Sequence, residues 1–255
     1  SDFAGGGEPL SRPRAWAADL ASTRKLSSKM SIGVTLKYAL SHLVRGENII
    51  NSDNFIKAAK TKAIDLSLYY QNPNATCLKK DATFSGGLSI SNSGSKASYI
   101  EEQTKKFIPI NLGIGAAIDM HLSQRKNLMF TLDINKLMVP TFDPEDPTQA
   151  HREKALLSGM FGSFTDAPGG FSEELQELMF SIGVEYWYNN FVAIRLGYFN
   201  EHALKGNRKY PTLGIGLKHN NLGLNLSYIV PTGKYANPLD NTLRFQLSFD
   251  FGKKG

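Results

Sequence analysis

The sequence predicts an all-β protein, a transmembrane β-barrel of the outer-membrane type. Three observations predict it: apolar and polar residues alternate with period two along most of the chain, strand charges share one face, and connections alternate short and long. One domain covering 1–255 accommodates all of it, because the repeated strands show no break between two cores. Apolar residues at 41% and charged residues at 20% exclude a disordered chain. The longest apolar runs are far too short for a spanning helix, so any membrane crossing falls to strands.

The strands follow in order. A poorer one occupies the region from Arg14 to Lys25, and the clearest one interleaves Ile32, Val34, Leu36, Tyr38 and Leu40 with small and polar residues. Further apolar rows are Ile64 to Tyr70, Phe84 to Ile90, Leu112 to Met120, Leu128 to Ile134, Leu178 to Tyr188, Val192 to Tyr198, Leu213 to Leu217, Leu222 to Val230 and Leu243 to Phe251. That makes about eleven strands, many near the 9 to 11 residues of a tilted bilayer crossing. Tyr38, Tyr70, Tyr186, Tyr188, Tyr198 and Tyr228 stand near strand ends, where amphipathic rings favour the headgroup level.

Asp19, Lys37, Asp65, Asp119, Asp133, Glu185, Arg195, Lys218, Arg244 and Asp250 all fall on the less apolar face of these strands. A lipid-facing surface must exclude charge, since Lys or Arg at mid-bilayer costs roughly 2 to 4 kcal/mol. The opposite face, rich in Gly, Ser, Asn and Thr, is then a polar lumen. Across the Asn189-Asn190 turn, Glu185 and Arg195 are spaced to meet as a lumen ion pair. Gly113-Ile114-Gly115 and Gly214-Ile215-Gly216 lie inside alternating strands and read as close strand packing.

A soluble sandwich would show the same alternation, but its connections have no reason to alternate in length. Here the links at Leu26 to Lys29, Asn72 to Lys80, Ser123 to Lys126, Asn189-Asn190 and Asn220-Asn221 are short. Those at Leu43 to Thr61, Ser91 to Phe107, Pro140 to Glu174, His202 to Lys209 and Pro231 to Asp240 are mostly longer. Short periplasmic turns and long extracellular loops fit this rhythm, with Ser1 to Pro13 outside and Gly252 to Gly255 periplasmic. An even-numbered barrel then needs an odd number of further strands upstream, three being the natural choice.

The longest loop carries Phe161, Phe164, Asp166, Pro168, Gly169, Gly170 and Phe171, and the link beyond Asn200 carries Asn207 and Arg208. These are the candidate partner-binding residues, with capping of the barrel mouth as the alternative use of the loop aromatics. No catalytic or metal site is expected: G-x-S-x-G and H-E-x-x-H are absent, and His42, His121, His151, His202 and His219 are far apart. Cys77 stands alone, so there is no disulfide framework. The +6 net charge is spread along the chain, which argues against nucleic acid.

Several stretches resemble the PorV family of type IX secretion, itself related to FadL-like channels: Thr131 to Pro140, Ser163 to Gln176, Ser181 to Asn190, Gly197 to Tyr210 and Asn241 to Phe251. In the first half the resemblance rests on Arg24 to Tyr38 and Ile90 to Tyr99. It implies a FadL-like barrel of fourteen strands, eleven of them in this chain, without a cofactor. It also implies an outer-membrane carrier, not an enzyme, that meets a large translocon barrel and the C-terminal signal domains of cargo. A sortase-like subunit of the surface attachment complex and outer-membrane lipid or lipopolysaccharide complete the implied partners. A FadL-like channel for hydrophobic small molecules is the alternative, by analogy of fold.

Overall fold

The computed structural model describes residues 14–42, 49–51, 54–55, 58–98, 106–141, 153–232 and 239–250. The strands are β1 (Arg14–Lys25), β2 (Met30–His42), β3 (Ile49–Asn51), β4 (Asn54–Phe55), β5 (Ala59–Cys77), β6 (Lys80–Gly94) and β7 (Asn111–Ser123). They continue with β8 (Lys126–Leu137), β9 (Leu178–Tyr188), β10 (Val192–Asn200), β11 (Lys209–His219), β12 (Leu222–Ile229) and β13 (Leu243–Phe249). Eleven of them form one antiparallel sheet in the order β1-β2-β5-β6-β7-β8-β9-β10-β11-β12-β13, and β3 with β4 makes a separate two-stranded hairpin. Each strand of the large sheet thus pairs with its sequence neighbours, apart from the β3–β4 insertion. Ser1 to Pro13, His151, Phe251 and Gly252 to Gly255 lie outside the described residues.

Turn chemistry holds this meander in register. Asn189 and Asn190 both adopt the left-handed region at φ 53° and 52°, the pattern of a two-residue hairpin whose twist matches its strands. Asparagine tolerates that region better than other residues with a Cβ. At the β1–β2 turn the Ser27 hydroxyl accepts from the amides of Lys29 and Met30, at 3.2 and 3.1 Å.

Three segments read as connections hold strand, the first being Leu43 to Thr61 with β3, β4 and the start of β5. The link at Asn72 to Lys80 is mostly β5 and closes on Leu78-Lys79 alone, with an irregularity between Asn72 and Ala75. Pro73 lies inside that irregularity, and a bulge is where a residue without an amide proton fits a ladder. On β6 the strand runs on to Gly94 past a second irregularity, where Asn92 at φ 59° donates its amide to the Asp65 carboxylate at 2.7 Å. The connection from Pro140 to Glu174, expected as a loop, contains α1 (Leu156–Gly162) and α2 (Phe171–Gln176).

The two faces differ as membrane and lumen do. Leu66, Leu132 and Ile194, all in the apolar rows, are 52%, 45% and 56% exposed to solvent. A soluble sandwich would have buried these rows against a second sheet, so the fold is that of an outer-membrane barrel wall. On the polar face Lys37 meets Asp65 at 2.6 Å, and Glu185, directly opposite Arg195, forms an ion pair with it. Glycines make room for these groups: a side chain at Gly115 would collide with the Asp133 carboxylate, and one at Gly216 would lie 2.8 Å from the Arg195 guanidinium.

The faces predict opposite responses to substitution. Leu132→Arg or Ile194→Arg sets a charge in hydrocarbon at a cost of roughly 2 to 4 kcal/mol and is expected to impair assembly, while Asp133→Asn and Arg195→Gln assemble nearly normally. Heat-modifiable gel mobility of the four variants measures the outcome, and normal assembly of both arginine variants would reverse the faces.

Candidate functional site

The described parts of the connection after β8, residues 138–141 and 153–177, pack as an excursion over the apolar side of the sheet. Lys136 continues the row of Leu132 and Ile134, and it is paired across from Leu178 of the β9 row. Met138 bonds through its amide to the Ile110 carbonyl at 2.8 Å and extends the same row. Met160 of α1 packs on Ile110 and Met138, and these three form the buried apolar cluster, with Phe107, Leu112 and Leu156 around it. The helices therefore lie on the lipid-side face at the loop end of β6 to β9.

A charge network fastens them there. The Lys136 ammonium, 5% exposed, donates to Glu174 at 2.8 Å and to Glu177 at 2.6 Å. Glu174 uses its other oxygen to accept the amide of Ala167 at 3.0 Å, and Thr141 donates its hydroxyl to Glu177 at 3.0 Å. Lys205, in the short 3-10 turn Ala203–Lys205 between β10 and β11, reaches across to Glu173 at 2.5 Å and Glu177 at 3.0 Å. One carboxylate, Glu177, thus ties the sheet, the excursion and the next connection together.

The ionisation of these groups follows from their contacts. Hydrogen bonds from Lys205 and the Gly169 amide hold the Glu173 carboxyl below its ordinary value of 4.5. Burial opposes ionisation of Glu177, but hydrogen bonds from Lys136 and Lys205 outweigh it and lower its pKa as well. Burial likewise opposes the charge on Lys205, and its bonds to Glu173 and Glu177 prevail and raise its pKa above 10.5.

The candidate partner residues divide in two. Phe161, Phe164 and Phe171 are exposed, at 65%, 40% and 78%, beside exposed Leu157 and Leu175. Asp166 is occupied within the excursion, accepting from the Thr141 amide at 3.4 Å and from Lys154 at 3.3 Å. Gly169 donates its amide to Glu173, and Gly170 takes φ 67° ahead of α2, a left-handed angle that a Cβ would strain. Ala167 and Pro168 lead into that turn, whose Gly170 amide bonds to the Ala167 carbonyl. Arg208 is committed to the buried Glu201, at 2.6 and 2.8 Å, and Asn207 at φ 57° bonds its amide to the His202 carbonyl. Burial counts against the Arg208 charge, yet the bond to Glu201, the larger influence, keeps its pKa above the usual arginine value.

On the polar face Arg195 also donates to Asn225 at 2.7 Å, and Trp187 donates its indole proton to Glu185 at 2.7 Å. Asp133 lines a recess of about 490 Å³ with Ser67, Ser85, Ser89, Thr131 and Asn135. Lys218 lies 3.6 Å from Asp250, and Arg244 stands opposite Ser227. Sequence reasoning missed Lys136, Glu173, Glu174, Glu177 and Lys205. Their signal is a lysine interrupting an apolar row at position 136, followed in the chain by the acidic run Glu173-Glu174-Leu175-Gln176-Glu177.

An antiparallel wall of eleven strands whose solvent-exposed apolar face carries charge only near the strand ends defines a protein of the outer-membrane barrel class. The family model of the type IX secretion system protein PorV matches residues 6–145, more than half of the chain, and the chain belongs to that family. The match takes in Arg24 to Tyr38, Ile90 to Tyr99 and Thr131 to Pro140, whereas the other resembling stretches lie beyond it. It thus covers mainly the half in which the resemblance rested on fewer stretches. No curated protein matches the chain. Its family is a component of type IX secretion in the outer membrane.

Two responses follow from the network. Lys136→Ala leaves buried Glu174 without its cation and Glu177 with Lys205 alone, a loss of about 3 to 5 kcal/mol for a broken buried pair, and is expected to expose 153–177 to limited proteolysis. Because Glu173 and Glu177 have depressed pKa values, their contribution is complete above about pH 4.5 and is lost as pH falls through the lowered values. Hydrogen exchange of 153–177 should therefore accelerate on acidification below that point while β7 to β10 stay protected; unchanged exchange would remove these carboxylates from the anchoring.

Proposed function

We propose that this chain is a non-enzymatic carrier subunit of type IX secretion that meets the translocon barrel and the C-terminal signal domain of cargo through the crest of the 153–177 excursion. The long connections face the cell exterior in this reading, as the short-turn, long-loop rhythm of outer-membrane barrels suggests. The observation that carries it is the pairing of exposed Phe161, Phe164 and Phe171 with a buried ionic base. Aromatic side chains held on a fixed support lose little freedom on binding, which is what interface hot spots require. A sortase-like attachment subunit then receives the cargo, by analogy with the family.

The test is capture of a cargo C-terminal signal domain by the protein extracted gently from membranes. Phe161→Ser with Phe171→Ser removes exposed rings without touching the anchoring network and is expected to weaken capture by at least ~2 kcal/mol, some thirtyfold. Undiminished capture would remove the crest as the site. Copurification of a very large barrel with the wild-type protein supports the translocon contact, and recovery with bound fatty acid alone would favour a channel.

A further inference from the structure

The β5–β6 hairpin outruns β2 at the short-turn end of the sheet. Tyr70 pairs with Met30, the first residue of β2, and the Gln71 amide bonds to the Lys29 carbonyl at 2.8 Å. Past that point no described strand flanks β5 on its β2 side, yet it runs on to Cys77, which pairs with Lys80 of β6. The apolar row stops at Tyr70, at the headgroup level, and Gln71-Asn72-Pro73-Asn74-Ala75-Thr76-Cys77 holds no large apolar side chain on either face. At about 3.3 Å per residue and a tilt of about 40°, such a stretch rises on the order of 17 Å, against a headgroup region of roughly 5 to 7 Å on each side of the bilayer. The tip therefore stands in water.

That tip departs from the usual turn chemistry. Leu78 and Lys79 both take the left-handed region, at φ 49° and 63°, which a two-residue hairpin turn needs but long side chains adopt at a cost. The β9–β10 turn makes the same geometry from Asn189 and Asn190, so the fold by itself does not call for leucine and lysine here. Strain kept without a structural need points to use. Leu78 is 83% exposed, more than any other large apolar side chain among the described residues. Its surroundings are basic: Lys79 and Lys80 on the hairpin, Lys25 and Lys29 at the β1–β2 turn, Arg125 and Lys126 at the β7–β8 turn, all exposed. None of the six has an ion pair among the described residues, and Asp81 is the one acid in the hairpin.

We propose that the β5–β6 tip is a docking finger for an acidic periplasmic protein: Leu78 enters an apolar pocket of that partner, and carboxylates around the pocket meet Lys79 and Lys80. A headgroup layer or a glycan strand offers charge to the lysines but no pocket to an isobutyl group held this far from hydrocarbon. Charge complementarity then steers the encounter, and burial of Leu78 holds it. The inference goes beyond the secretion role and shares with it only the outward placement of the long connections, which puts the short turns in the periplasm.

A photo-crosslinking residue, p-benzoylphenylalanine, placed at Thr76 beside the tip reads the contact in living cells and leaves Leu78, Lys79 and Lys80 intact. One protein adduct is expected, its crosslinked peptide apolar with Asp or Glu alongside, and the same probe at Asn190 should give none. Lys79→Glu with Lys80→Glu should lower the yield about tenfold, and Leu78→Ser about as much. Leu78→Asn with Lys79→Gly supplies the favoured turn residues, so it should lose the adduct equally while the folded band survives to higher temperature in heat-modifiable mobility. That mobility also verifies that every variant assembles. An adduct with phospholipid or peptidoglycan, with the translocon barrel or with cargo, no adduct, or one indifferent to charge reversal overturns the proposal, as does a lower melting temperature of the Asn-Gly variant. Thr76→Cys in a Cys77→Ser background tests orientation by itself: an impermeant maleimide should label it only after the outer membrane is permeabilised. Labelling in intact cells puts the hairpin outside and overturns both the periplasmic partner and the outward long connections, whereas protection with no adduct overturns the partner alone.

Discussion

In a hydrocarbon layer every backbone amide and carbonyl must find its partner within the protein, and the rest of this structure depends on how the antiparallel ladder meets that demand. Once strands such as β7 and β8 are paired from Asn111↔Leu137 onward, side chains can only alternate between two faces. The apolar rows then face lipid, and polar residues collect opposite. Gly115 and Gly216 are small because Asp133 and Arg195 need their space on that polar side.

Charge on the apolar side is tolerated only where strands end. Arg14, Lys60, Lys62 and Lys136 stand in the apolar rows at the loop end, and Lys126 at the other end lies 5.7 Å from the Tyr188 ring. The cost of a strand charge falls to roughly 0 to 1 kcal/mol near the interfaces, so the ends are where function can place cations. Lys136 has its countercharges from the excursion itself. Its burial makes the network a means of fixing position more than a source of stability, since paired buried ions gain little over apolar packing but cost much when broken.

That network also shapes the surface the wall presents. A PorV-family wall built only of strands would offer lipid a smooth surface, whereas helices anchored at Lys136 and Met138 offer an irregular one. The division of the excursion into occupied residues, Asp166 and Glu173 among them, and exposed ones, Phe161 and Phe171, separates support from presentation. Lys205 extends the support to the neighbouring connection through its two ion pairs.

The strands, their faces and the meeting of Glu185 with Arg195 were legible in the sequence, because alternation is local and a two-residue turn makes register a matter of counting. The bulges were harder to read. Pro73 marks one, but the shift at Asn92 depends on the Asp65 carboxylate of another strand. The candidate site was legible only as a run of loop aromatics. Tertiary structure alone decided that the run folds onto the apolar side, that Asp166 and Arg208 are spent on internal pairs, and that Lys136 holds Glu174 and Glu177. The reason is distance along the chain: Lys136 meets its carboxylates 38 and 41 residues later, and no periodicity carries information over such a separation.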